Sequence, residues 1–166
     1  MSGGAELTLR LPIWLALVAG CLACVGVCPR RSWRWGAVAL AVHVVAAFHW
    51  VHGWSHAAAY AATADQVRAA VGGGSGAGLW VNYAFLIAWI GVAWRWDRCP
   101  VWVRTAWQVT FAFMAFNGAV VFAHGYARLW GGLLTVVTLA GWVRQRRLAS
   151  RLPALIPPEP EPGKGP

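Results

Sequence analysis

Five histidines, two asparagines and four cysteines are set in strongly apolar sequence. A polar side chain in such surroundings is expensive, so each asks for a reason. His49, His52 and His56 follow one another at spacings of three and four. On one continuous helix they share a stripe about 60° wide, which Tyr60 extends and from which His43 points away. His124 lies seven residues after Asn117 and shares its helical face to within about 20°. Neutral imidazoles in this pattern suit two chemistries. One of His49, His52 and His56 could pair with His124 as the two axial ligands of a haem b iron, with Gly53, Gly118 and Gly125 leaving room for the macrocycle. Alternatively, His52 and His56 chelate a copper, zinc or iron ion at i, i+4, and His49 and His124 complete an all-imidazole set. The spans contain no Asp or Glu, which weakens a diiron or hydrolytic reading. A third reading needs no cofactor: the histidines are interhelical hydrogen-bond glue, worth about 0.6 kcal/mol each.

Metal-bound imidazoles donate their second N–H to a fixed acceptor, and the oxygens of Asn82 and Asn117 could fill that role where no carboxylate is at hand. Cys21, Cys24 and Cys28 repeat the i, i+3, i+7 spacing, a thiolate set suited to copper(I) or zinc. Small residues that let helices approach are the simpler account of these cysteines. Val18-Ala19-Gly20-Cys21 resembles a lipobox, yet the apolar run continues past it to Val27, so the segment reads as a true helix.

These groups must be positioned by helices in lipid. Of 166 residues 59% are apolar and 11% charged, and the mean hydropathy is +0.53. A soluble domain carries roughly a quarter of its residues as charges. The chain therefore reads as an all-α, polytopic membrane protein with five transmembrane helices at about 11–28, 36–60, 79–94, 101–124 and 129–143, together a bundle over residues 1–152. Residues 61–78, with Gly72-Gly73-Gly74-Ser75-Gly76, read as a flexible external loop. The Pro-rich tail, 153–166, cannot build a core and reads as disordered in the cytoplasm.

Orientation follows from the basic residues, because cytoplasmic loops retain Lys and Arg. Arg30, Arg31, Arg34, Arg95, Arg98, Arg104, Arg144, Arg146, Arg147, Arg151 and Lys164 fall on one side, and only Arg10, Arg68 and Arg128 on the other. The N-terminus is thus outside and the C-terminus cytoplasmic. Trp33, Trp35, Trp94, Trp96, Trp102 and Trp142 flank the arginine side, and Trp14, Trp54, Trp80 and Trp130 the other, as an aromatic belt would. Counted from the inner arginines, His49, Asn82 and Asn117 come within about 3 Å of one height, roughly 20 Å up, with His52, His56 and His124 just above.

The net charge of +9 marks membrane flanks and no nucleic-acid surface. No phosphate cradle is present, since the Gly-rich run does not end in Lys-Ser/Thr. No Ser-His-Asp set is present either, for Asp65 and Asp97 fall on opposite sides of the membrane. Arginine in place of lysine, with much Ala, Gly and Val, fits a GC-rich bacterial genome and hence a bacterial inner membrane. Without a soluble domain or a catalytic signature, the natural role is an accessory or cofactor-bearing subunit of a larger membrane complex. The alternatives are a stand-alone metal-binding or metal-transport protein and a purely structural bundle.

Overall fold

The computed structural model describes residues 3–123 and 125–151, and these are all-helical, a bundle of six α-helices without strands. Helix α1 (Gly3–Cys24) starts two turns before the apolar run, because the Glu6–Arg10 pair at 2.7 Å continues it outward. A left-handed Gly26 (φ 82°) and a left-handed Cys28 (φ 42°) then reverse the chain. Pro29 opens α2 (Pro29–Trp50), a first-turn position where its missing N–H costs nothing.

The second expected span, 36–60, does not run through. Helix α2 stops at Trp50, and Gly53 (φ 53°) and Trp54 (φ 61°) make a left-handed elbow. Ser55 then caps a new helix, α3 (His56–Val71), its hydroxyl accepting the Ala58 N–H at 3.2 Å. Residues 61–71, expected to be flexible loop, are therefore helical. Ala-rich sequence has the highest helix propensity, the Asp65–Arg68 pair at 2.8 Å supports the last turns, and a left-handed Gly72 ends them. The Gly-rich connection is confined to 72–77.

Helix α4 (Gly78–Arg95) leads through a 3-10 turn (Trp96–Arg98) and Pro100 into α5 (Val101–Phe116). A π-helical turn, Asn117–Val121, continues α5, and Arg128 donates from Nε and Nη2 to the carbonyls of Val120 and Val121 at 2.8 and 3.2 Å. The wide turn leaves those carbonyls without ordinary helical partners, and the guanidinium supplies donors. Helix α6 (Tyr126–Arg151) extends beyond both ends of the fifth expected span. Among the described residues one helix, over Gly4–Cys24, is by length and hydropathy long and apolar enough to cross a membrane.

Short connections make neighbours antiparallel: α1 packs on α2, α2 on α4, and α5 and α6 on each other and on α1. At the centre stands Trp33, fully buried, with the rings of Phe111 at 5.3 Å, Trp96 at 5.5 Å, Trp89 at 5.8 Å and Trp107 at 6.2 Å. The Trp89 indole donates to the Trp33 carbonyl at 2.9 Å, tying α4 to α2. The belt expectation is corrected here for Trp33 and Trp96, which are core residues, whereas Trp35, Trp94 and Trp102 are exposed.

Candidate functional site

Two ends of the bundle carry polar groups, a histidine end at the α2–α3 elbow and a basic end where α2 begins and α4 finishes. At the elbow the three imidazoles part company. His49, in the last turn of α2, is exposed, its ring 4.6 Å from Trp50 and 6.1 Å from Trp54. His52 lies in the turn against Phe48 at 5.7 Å. His56, the first residue of α3, rests on Trp80 at 5.1 Å. Its Nδ1 and the Tyr83 hydroxyl share a 3.3 Å hydrogen bond, the phenol donating when Nδ1 carries no proton.

Each imidazole thus has its own aromatic neighbour, and the common stripe is lost with the continuous helix it required. Among the described residues no group of three or more His, Cys, Asp or Glu is placed to hold a metal ion. His124, proposed above as their partner, lies outside the described residues. His43 also makes an interhelical bond, its Nδ1–H donating to the Leu9 carbonyl at 2.9 Å and joining α2 to α1.

The asparagines sit on separate helices, Asn82 on α4 and Asn117 at the start of the π-turn. Asn82 is exposed on α4, and Asn117 donates from Nδ2 to Phe113 O at 2.8 Å, within its own helix. The cysteine spacing is likewise broken: α1 ends at Cys24, and the Gly26 turn carries Cys28 away to an exposed position. Cys21 and Cys24 are buried as small members of the core around Trp33. Beside Cys21, a cavity lined by Phe111, Ala115, Gly131, Thr135 and Thr138 admits the centre of a water molecule over about 20 Å³, enough for one water.

The elbow makes a local prediction. A Cβ at residue 53 meets open space, so the cost of Gly53→Ala is conformational alone, about 1–2 kcal/mol for a left-handed alanine. Equilibrium unfolding of the purified protein checks it; an unchanged stability would show that the elbow does not hold Gly53 left-handed.

The basic end is richer than the sequence suggested, where its arginines were read only as markers of sidedness. Arg30 Nε pairs with Asp97 at 3.2 Å. Arg104 donates to Cys99 O at 2.9 Å and Asp97 O at 3.1 Å and lies over Trp96. Arg34 lies over Trp94, with its Nε–H buried and lacking an acceptor. Comparison with protein-family models, curated proteins and solved structures finds no match. The site's chemistry therefore rests on its own geometry: imidazoles held singly by aromatic rings at one end, and arginines organised around tryptophans at the other.

Proposed function

We propose that this chain is a five-span integral membrane protein of a bacterial inner membrane, N-terminus outside, acting as a subunit of a larger membrane assembly. The observation that carries the reading is apolar surface left open on each long helix. Leu11 and Leu15 of α1, Val45 of α2, Ile87 of α4, Val109 and Phe113 of α5, and Leu133 and Val136 of α6 are all more than half exposed. Soluble monomers rarely expose such contiguous surface, whereas lipid-facing helices must. In this reading α1, α2, α4, α6 and α5 with its π-turn cross the bilayer. Helix α5 is 16 residues long, and the π-turn adds 5. Helix α3, largely exposed and Ala-rich, lies on the outer surface.

Reporter fusions test the topology. A reporter active only outside is expected to work after Ser75 and fail after Lys164, and a cytoplasmic one to do the reverse. Both sites on one side, or Lys164 outside, would overturn the five spans. Purification in mild detergent tests the role, with stoichiometric partner chains as the expected result and a partner-free monomer carrying stoichiometric metal as the contrary one. The same sample tests the haem pairing through His124: a Soret band lost in His124→Ala supports it, and a colourless protein removes it.

A further inference from the structure

Arg34 stands apart from the other arginines of the basic end. Arg30 has the Asp97 carboxylate, and Arg104 has two carbonyls. Arg34 makes no hydrogen bond or ion pair among the described residues; its guanidinium lies 5.9 Å over the Trp94 ring, with Nε–H buried and without an acceptor. A guanidinium is always charged; Arg34 is half-buried, and its Nε–H, shielded from solvent without an acceptor, is costly to leave unpaired. Sidedness in the membrane does not require this arrangement, because exposed arginines such as Arg31, Arg95 and Arg98 satisfy it.

What lies beyond Arg34 is apolar and open. Val38, Val42 and Val45 continue its face of α2 at helical spacing, and they are 41%, 49% and 55% exposed. Across the seam, Ile90 and Ile87 continue the face of Trp94 on α4, at 40% and 70% exposure. The two helices are antiparallel, so both rows run from the guanidinium toward the histidine end. A charged donor thus heads a track of exposed aliphatic side chains, with Trp35 and Trp94 open at the level of the head group.

We propose that Arg34, backed by Trp94, binds the phosphate of an anionic phospholipid whose acyl chain lies along the Val38–Val42–Val45 face. The shared chemistry is a phosphate oxygen accepting from a planar guanidinium, and the apolar track selects a lipid over free phosphate. The inference rests on the membrane reading above.

The test uses the full chain in mild detergent, with bound lipid counted by native mass spectrometry and melting followed in parallel. Phosphatidylglycerol is expected to be retained and to raise the melting temperature, and phosphatidylcholine to do neither. Arg34→Gln is expected to weaken retention about tenfold, the worth of a charge-assisted hydrogen bond, and Arg34→Lys to restore only part of it, since the planar fork is missing. Trp94→Leu, at an exposed position, weakens it several-fold and carries the test if Arg34→Gln fails to fold. Arg31→Gln leaves it unchanged. Equal retention of the two lipids, wild-type retention in both Arg34→Gln and Trp94→Leu, or an equal loss in Arg31→Gln overturns the proposal. Stabilisation by millimolar inorganic phosphate equal to that by phosphatidylglycerol overturns the lipid assignment. Failure of the membrane reading shows separately, as release of the protein from membranes by alkaline extraction.

Discussion

Trp33→Ala is expected to cost about 3–5 kcal/mol of bundle stability, the range for emptying a large aromatic site. Trp33 is fully buried and touches rings from α4, the 3-10 turn and α5 at once. Under the membrane reading proposed above, the hydrophobic effect contributes little between helices, and the loss is one of packing and of edge-to-face contacts, each worth about 0.5–1.5 kcal/mol. The Trp89–Trp33 hydrogen bond is made to the Trp33 backbone and can survive. Trp33→Phe should cost less, since the Trp33 indole N–H has no acceptor to lose. Trp35→Ala, 70% exposed, is expected to stay within about 0.5 kcal/mol. Reversible unfolding in mixed micelles, followed by circular dichroism, measures all three. Equal effects at residues 33 and 35 would mean that the aromatic core does not hold the bundle together.

Neighbouring glycines of α6 are expected to respond with opposite signs. A Cβ at Gly131 would fall on the carbonyl oxygen of Ala119 in the π-turn, which is backbone and cannot swing aside, whereas a Cβ at Gly132 meets nothing. Gly131→Ala must push α6 away from α5, at about 1–3 kcal/mol. Gly132→Ala should stabilise by about 0.5–1 kcal/mol, because alanine is the better helix former. The same unfolding experiment decides. A stabilising Gly131→Ala would show that α6 does not approach the π-turn closely.

Much of the helical outline was legible in the sequence because it depends on local composition. Apolar runs bounded by arginines located α1, α4 and α5, and Pro29 and Pro100 sit at the starts of helices, where proline is tolerated. The elbow was legible in part. Gly53 followed by Ser55 is a turn and an N-cap signal, but the surrounding hydrophobicity continues through it, so hydropathy alone extended α2 to residue 60. The same averaging hid α3, since five glycines just beyond Val71 gave the whole segment the look of a linker.

What the sequence alone determined is the polarity of the molecule along its axis: arginines gather at one end and histidines at the other, because charge and hydropathy are additive along a chain. Helical type and the antiparallel order also followed from it. Only the tertiary structure decided which tryptophans face inward, since Trp33 and Trp35 have identical composition and opposite surroundings. Only it separated His49, His52 and His56, because their convergence depended on backbone dihedrals at two residues, Gly53 and Trp54. Arg34 likewise resembles its neighbours in sequence, and only the packed helices leave its Nε–H buried without an acceptor and its guanidinium over Trp94. Side-chain direction and partner choice are three-dimensional quantities, set by how helices pack rather than by what any one of them contains.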